Sequence, residues 1–136
     1  MKKNILFVDD DVSTLKVGEM LLNSLGYEVL LADSGEEAIK FLRKEDISLE
    51  VRIIFLDLMM PKVDGFEVLK FMRNSKIKIP VVIQTGMMCT SELKNIQKLG
   101  ARFCIKKPYT KEDMKKSIEY CQKFVDSDDK PLLDST

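Results

Sequence analysis

The chain of 136 residues carries 22 Lys and Arg against 22 Asp and Glu, so its formal net charge is zero, and it contains no histidine. This length predicts one compact domain, and the balanced charge gives no basic stripe for binding nucleic acid or an anionic membrane. Without histidine, the chain alone cannot perform Ser-His-Asp or Cys-His catalysis or supply a histidine metal ligand.

Short apolar runs alternate with amphipathic segments along most of the chain. In chain order they predict a strand at 4–8, a helix at 12–25, a strand at 27–32, a helix opened by Ser34, a strand at 51–56, a helix at 66–73, a strand at 81–84, a helix at 91–99, a strand at 101–105 and a last helix opened by Thr110. Ser34 with Glu37 and Thr110 with Asp113 have the spacing of capping boxes.

The first predicted helix has an apolar face and clear end signals. Leu15, Leu22 and Leu25 share one face, and we expect Val12 and Met20 beside them. Asp11 is the expected N-cap and Gly26 the expected helix stop.

Five strand–helix units with nearly continuous apolar strands predict an α/β fold. The expected architecture is a doubly wound, five-stranded parallel sheet of order 2-1-3-4-5 with helices on both faces. We assign residues 1–125 to this domain and residues 126–136 to a flexible acidic tail or the start of a linker. In such folds, ligands bind at the carboxyl ends of the strands.

Polar residues end all five predicted strands, but Asp33 after the second strand is expected at the sheet edge, away from the others. Asp9 and Asp10 follow the first strand, and Asp57, Thr85 and Lys107 follow the third, fourth and fifth. Each has an ordinary explanation alone, such as a cap, a turn or a surface charge. Four such coincidences at one sheet edge are improbable, so we expect these side chains to form one site.

The side chains at this edge indicate phosphoryl chemistry. Neighbouring carboxylates stay ionised together only near a cation, and oxygen ligands suit Mg²⁺ better than zinc. Lysine and threonine beside such an ion can bind phosphoryl oxygens. Since neither GxxxxGK[ST] nor GxGxxG occurs, a nucleotide phosphate is not expected here, and an aspartate is the better candidate to carry the group.

These motifs resemble the receiver domain of two-component response regulators. The resemblance covers about residues 3–125 and is carried by VDDD after the first strand, DLMMPKVDG from Asp57 to Gly65, Thr85-Gly86 and Lys107-Pro108. It implies a flavodoxin-like fold, a phospho-acceptor function in signalling and a Mg²⁺ cofactor. The chain would not be a classical enzyme, although it would catalyse its own phosphorylation and its own slow dephosphorylation.

The resemblance also implies a role for each matching residue. Asp57 would accept the phosphoryl group from a phosphohistidine of a histidine kinase or phosphotransfer protein. Asp10, Asp57 and the backbone carbonyl of Met59 would bind Mg²⁺ directly, and Asp9 would bind it through water. Thr85 and Lys107 would bind phosphoryl oxygens, the Lys107–Pro108 bond is often cis in the family, and Gly86 would leave the site open.

Two positions depart from the family pattern. Cys104 stands three residues before Lys107, where the family has an aromatic residue that switches with the threonine, and we expect Phe103 on the opposite face of the strand. A small conformational change on phosphorylation is therefore expected. Met59 and Met87 occupy positions where fast-hydrolysing relatives have a polar side chain, so we expect slow dephosphorylation, although both could simply cover apolar surface.

Two other functions remain open from the residues alone. Asp9-Asp10-Asp11 also resembles the DxD motif of haloacid-dehalogenase-type phosphohydrolases, with Asp9 as nucleophile and Asp11 as acid/base. That interpretation leaves Asp57 and the MPKVDG segment without a role and lacks a late acidic pair after an apolar strand. A non-catalytic binding module of the same fold is favoured only by Cys104.

The expected partners are proteins. The resemblance implies a kinase or phosphotransfer protein upstream and a downstream protein bound by the fourth predicted helix, the fifth strand and the last helix, with dimerisation left open. We expect no direct contact with nucleic acid or membrane. No apolar stretch reaches the roughly 20 residues of a membrane span, no CxxC pair occurs, and a cytoplasmic protein with reduced cysteines is expected.

Overall fold

The computed structural model describes residues 4–48, 50–86, 90–123 and 133–134, with the backbone alone for 90–93 and 133–134. Its sheet is parallel and has the strand order β2-β1-β3-β4-β5-β6. The predicted order of the first five strands is therefore confirmed. β6 adds a short strand at the edge beyond β5.

The helices and strands follow the predicted alternation with small shifts at their ends. The strands are β1 (Asn4–Val8), β2 (Glu28–Ala32), β3 (Val51–Asp57), β4 (Val81–Thr85), β5 (Phe103–Lys106) and β6 (Leu133–Asp134). The helices are α1 (Val12–Ser24), α2 (Gly35–Arg43), α3 (Glu45–Ser48), α4 (Gly65–Asn74), α5 (Thr90–Lys98) and α6 (Lys111–Lys123).

Two apolar cores lie on opposite faces of the sheet. One packs β1, β3 and β4 against α2, α4 and α5, and the other packs the same strands against α1 and α6. Successive residues of a strand point to opposite faces, so each buried strand supplies both cores. Cys104 belongs to the first core and Phe103 to the second, where its ring lies 5.4 Å from that of Tyr120, as predicted for opposite faces.

The helix ends follow the predicted signals. Asp11 accepts hydrogen bonds from the N–H groups of Ser13 and Thr14, and Ser34 accepts one from Glu37. Thr110 and Asp113 bond reciprocally to each other's N–H at 2.9 and 3.1 Å, which completes the capping box of α6. These bonds satisfy backbone donors that a helix leaves free at its first turn.

The prediction for the face of α1 was wrong at two positions. Val12 and Met20 are 63% and 70% exposed, whereas Leu15 and Leu22 are buried. The helix packs through a narrow face because Gly18 lies directly over Phe7. A Cβ at Gly18 would lie 2.4 Å from the Phe7 ring, so the close approach of α1 to β1 requires glycine there.

Two elements were not predicted from the sequence. α3 is a single turn of four residues, too short for periodicity to indicate. β6 falls within the segment predicted as a flexible tail, and its two residues pair with Phe103 and Cys104. Residues 126–132 and 135–136 of that segment lie outside the described residues. Within the described part of the chain, no helix has the length and apolarity needed to cross a membrane.

Candidate functional site

The polar residues that end the strands meet at one edge of the sheet. Asp9 follows β1, Asp57 ends β3, Thr85 ends β4 and Lys107 follows β5. Carboxylate oxygens of Asp9, Asp10 and Asp57 lie within 4.8 Å of one another. The structure therefore brings the carboxylates of Asp9, Asp10 and Asp57 together with the Lys107 ammonium at the carboxyl ends of the parallel strands, and Thr85 ends the neighbouring strand.

Asp9 is the most enclosed carboxylate of this cluster. It is fully buried, and its Oδ2 lies 2.6 Å from the Lys107 ammonium. Its Oδ1 accepts the N–H of Asp11 at 2.9 Å. A carboxylate held by an ammonium and a backbone donor is a poor nucleophile, and the Asp11 carboxylate caps α1. The DxD-phosphohydrolase alternative is therefore not favoured.

Asp57 lies nearer the surface and its charge is less well compensated. It is 5% exposed, with Oδ2 3.5 Å from the Lys107 ammonium and Oδ1 accepting the Met59 N–H at 3.3 Å. Burial and the negative charge of Asp9 raise the pKa of Asp57 from its ordinary value of 3.8 to about 6. A cation or an electrophile that neutralises the charge of Asp57 therefore stabilises this site.

Lys107 is the cation that faces both buried carboxylates. Its peptide bond to Pro108 is cis, as the resemblance implied, and its N–H donates to the Thr85 carbonyl at 2.6 Å. Burial lowers the pKa of Lys107, but the hydrogen bond to Asp9 and the charges of Asp57 and Asp9 outweigh it, so the net shift is upward. Lys107 therefore remains an ammonium.

Thr85 and Gly86 lie at the carboxyl end of β4, next to the backbone of Lys107. Thr85 is 1% exposed at the end of β4, and its register partner in β5 is Lys106. A Cβ at Gly86 would have no neighbour within 4 Å among the described residues, which stop at Gly86 and resume at residue 90. The role of Gly86 in leaving the site open stays a prediction.

Sequence reasoning missed a buried polar chain behind Asp9. The Tyr109 hydroxyl donates to Gln84 Oε1 at 2.8 Å, and Gln84 Nε2 donates to the Val8 carbonyl at 3.1 Å and approaches Asp9 Oδ2 at 3.5 Å. Gln84 is fully buried inside a strand. The signal that could have found it was a glutamine inside the apolar run VVIQT, directly before Thr85.

Gly65 permits the tight passage from β3 into α4. A Cβ at this position would lie 2.5 Å from the Asp57 carbonyl oxygen and 2.8 Å from the Leu58 Cα. The Gly65 N–H donates to the Leu58 carbonyl at 3.0 Å, and Asp64 caps the helix by accepting the Glu67 N–H. Asp64 and Gly65 therefore hold the backbone between Asp57 and α4 in one conformation.

The donor set of the cluster fits a magnesium ion. Asp9, Asp10 and Asp57 offer oxygen ligands only, Asp10 is exposed to water, and the cluster contains no sulfur or imidazole. Mg²⁺ prefers a few carboxylates and retains several waters, so these residues match its chemistry. The resemblance to receiver domains implies Mg²⁺ in such an acidic pocket.

The remaining predicted residues lie around this cluster or outside the described chain. Cys104 is buried in β5 on the face that packs against α5. The side chain of Met59 is 74% exposed, next to the acceptor strand. Met87 lies outside the described residues, and the roles assigned to these three residues stay predictions.

Comparisons with known proteins place the chain in one family. Residues 5–119 match the response regulator receiver domain. The chain is 34% identical over 119 residues to the alkaline phosphatase synthesis transcriptional regulatory protein PhoP of Bacillus subtilis, covering 88% of this chain and 48% of that protein. It is also 34% identical over 125 residues to the probable transcriptional regulator ycf27 of Porphyridium aerugineum, covering 92% and 50%.

The chain spans about half the length of these curated relatives. Among solved structures, the chemotaxis protein CheY4 of Vibrio cholerae superimposes with a TM-score of 0.78 at 27% identity, covering 88% of this chain and 98% of that one. The fold, the edge cluster and these matches agree. The chain belongs to the family of receiver domains of two-component response regulators, which are phosphorylated on an aspartate.

Proposed function

We propose that Asp57 is the phospho-acceptor of this receiver domain and that a phosphohistidine of a histidine kinase or phosphotransfer protein is the donor. The observation that carries this assignment is the position of Lys107, whose ammonium lies 2.6 Å from Asp9 and 3.5 Å from Asp57. Asp9 is fully buried and tightly paired, whereas Asp57 retains some exposure and a raised pKa. Asp57 is thus the carboxylate best able to react.

The transfer requires little covalent chemistry from the protein. An Asp57 carboxylate oxygen attacks phosphorus, the new O–P bond forms as the histidine N–P bond breaks, and the electron pair remains on the histidine nitrogen, which takes a proton. Phosphoryl transfer is accelerated mainly by positioning and charge neutralisation. The chain's contribution is to hold Asp57, Lys107 and Thr85 around one point.

We assign Asp10, Asp57 and the Met59 carbonyl as direct Mg²⁺ ligands, with Asp9 acting through water. Mg²⁺ in this position supplies charge neutralisation for the phosphoryl oxygens. Lys107 pairs with another phosphoryl oxygen, and the Thr85 hydroxyl donates to a third. Lys107 can do so because its ammonium already faces the acceptor rather than the bulk solvent.

The proposed output is a surface formed by α5, β5 and α6, which binds a downstream protein. Thr85 ends β4, and the chain that leaves it leads into α5. Cys104 lies in β5 where the family has an aromatic residue, so no aromatic ring is available there to change its rotamer together with Thr85. We therefore expect the change at this surface to be small. Near-identical amide spectra of α5, β5 and α6 with and without beryllofluoride would support this; large shifts there would contradict it.

Labelling with acetyl phosphate and Mg²⁺ tests the acceptor assignment. Wild-type protein, Asp57→Asn and Asp9→Asn are compared by intact-mass spectrometry for an added phosphoryl group. Loss of labelling in Asp57→Asn, with slower labelling in Asp9→Asn, is the expected result. Hydrolysis of phosphate esters that depends on Asp9 would instead indicate a phosphohydrolase, and no labelling of wild type would indicate a binding module.

We also propose a cytoplasmic location, because the phosphohistidine donor of the proposed reaction is formed with ATP.

A further inference from the structure

A buried glutamine amide lies behind the aspartate cluster. Gln84 is fully buried, and both ends of its amide have partners. The Tyr109 hydroxyl donates to its Oε1 at 2.8 Å, whereas its Nε2 donates to the Val8 carbonyl at 3.1 Å and lies 3.5 Å from Asp9 Oδ2. With the amide reversed, its oxygen would face that carbonyl and that carboxylate, which are both acceptors. These contacts therefore aim an NH₂ group at Asp9.

The sheet places Gln84 on the same face as the proposed acceptor. Gln84 of β4 is the register partner of Asp57 in β3, so the two side chains project from one face of the sheet. Because β3 lies between β4 and β1, the amide reaches across β3 to contact Val8 and Asp9. The Gln84 side chain therefore connects β4 to the end of β1, beside the acceptor carboxylate.

Asp9 and Asp57 share one ammonium. Lys107 Nζ lies 2.6 Å from Asp9 Oδ2 and 3.5 Å from Asp57 Oδ2. In the proposed reaction Lys107 pairs with a phosphoryl oxygen on Asp57, so its contact with Asp9 weakens. Asp9 Oδ1 keeps the Asp11 N–H, but the fully buried Oδ2 would lose its cation. A buried charge that loses its partner is strongly destabilising, so this loss opposes phosphorylation unless another donor reaches Oδ2.

We propose that Gln84 is a positioning residue whose amide takes over Asp9 Oδ2 when Lys107 turns to the phosphoryl group. This inference rests on the proposed assignment of Asp57 as the acceptor. Gln84 Nε2 needs to approach by about 0.6 Å to reach an ordinary hydrogen-bond length of about 2.9 Å. The Tyr109 hydroxyl holds the other end of the amide and keeps its NH₂ group aimed at Asp9. An apolar side chain at position 84 would leave Lys107 held by Asp9 and slow the reaction.

Two variants of the full-length chain remove the amide. Gln84→Met keeps a side chain of similar length without a donor, and Gln84→Met with Tyr109→Phe also removes the hydroxyl that the single variant leaves without its acceptor. The matched control is Gln122→Met with Tyr27→Phe, which removes an exposed glutamine–tyrosine contact of 3.4 Å. Labelling by acetyl phosphate is followed by intact-mass spectrometry while the Mg²⁺ concentration is varied.

A positioning role predicts a slower reaction at an unchanged affinity for the metal. Both Gln84 variants should reach a plateau rate at least fivefold below that of wild type. The Mg²⁺ concentration that gives half of the plateau rate should change less than twofold, whereas a distorted pocket would change the rate and this concentration together. The control variant should change neither quantity by more than twofold.

The Lys107 ammonium gives a second readout that does not depend on turnover. Its ¹⁵Nζ signal, assigned by its loss in Lys107→Arg, is recorded before and after addition of beryllofluoride and Mg²⁺. The signal should shift in wild type and shift less than half as far in both Gln84 variants. Plateau rates within twofold of wild type, equal ammonium shifts, or a parallel loss of rate and Mg²⁺ affinity would each overturn the positioning role. Absence of labelling in wild type would instead overturn the assignment of Asp57, and this inference with it.

Discussion

Replacing Asp57 with asparagine should stabilise the metal-free protein at neutral pH. The folded structure raises the pKa of this carboxyl from 3.8 to about 6, mainly through burial and the nearby Asp9 charge. The ionised form is therefore disfavoured in the folded state relative to the unfolded chain. That difference corresponds to about 3 kcal/mol at pH values well above 6.

The sign of the pH dependence follows from the same shift. Below pH 3.8 the Asp57 carboxyl is protonated in both the folded and the unfolded state, so it does not lower the free energy of unfolding. As the pH rises from 3.8 through about 6, the unfolded chain ionises more easily than the folded protein, and the free energy of unfolding falls. Asparagine resembles the protonated carboxyl in size and charge, although its amide adds donors beside the Lys107 ammonium. The amide cost of about 1 kcal/mol does not depend on pH, so we expect a net gain of about 2 kcal/mol at pH 7.5 that decreases to roughly a third of that at pH 5.

Urea unfolding followed by far-ultraviolet circular dichroism measures this effect, because the chain has no tryptophan to report fluorescence. The titrations contain EDTA, and Asp33→Asn serves as the control, since Asp33 is an exposed aspartate after β2 that is not among the clustered carboxylates. Mg²⁺ should stabilise wild type more than Asp57→Asn. An Asp57→Asn variant that is less stable than wild type at pH 7.5, or a gain independent of pH, would refute the reasoning.

Three further predictions concern other parts of the site. Tyr109→Phe leaves the buried Gln84 Oε1 without its 2.8 Å donor and should cost about 1–3 kcal/mol in urea unfolding, whereas Tyr27→Phe, which removes an exposed contact of 3.4 Å, should cost less than 0.5 kcal/mol. Met59→Asn should accelerate loss of the phosphoryl group severalfold in a phosphate-release assay, because a polar side chain there can orient water, while Met20→Asn, at a similarly exposed methionine on α1, should not change the rate. Gly65→Ala should destabilise the protein by about 2 kcal/mol and slow phosphorylation from acetyl phosphate, since its Cβ would displace the Asp57 carbonyl that lies 2.5 Å away; equal rates for this variant and wild type would contradict that role.

The sequence predicted the fold well because strands and their terminal residues carry local signals. An apolar run followed by a charged residue, as in ILFV before Asp9, indicates both a buried strand and the point where it ends. The carboxyl-end rule then brings Asp57, Thr85 and Lys107 together without any knowledge of distances. Strand order was the only non-local information needed for the site.

The failures came from features that depend on packing between segments. Val12 and Met20 fit an apolar helical face, but Gly18 lets α1 approach β1 so closely that only a narrow face is covered. Gln84 was taken as an ordinary strand residue, because its partner Tyr109 lies 25 positions along the chain. Helical periodicity and strand length contain no information about such pairs.

Zero net charge conceals a separation of charge along the strand direction. Three carboxylates lie within 4.8 Å of one another at the carboxyl ends of the strands, and Arg73, Lys76 and Lys98 lie at the opposite end, at or just beyond the last residues of α4 and α5. The aspartate cluster contains one cation of its own, Lys107, so three carboxylates face a single ammonium and the site keeps a negative charge that favours a divalent cation. Added salt should weaken the attraction of a divalent cation to the three carboxylates, because it screens charges at the surface, where Asp10 is exposed. Local charge, and not the chain average, therefore decides what this end of the sheet can bind.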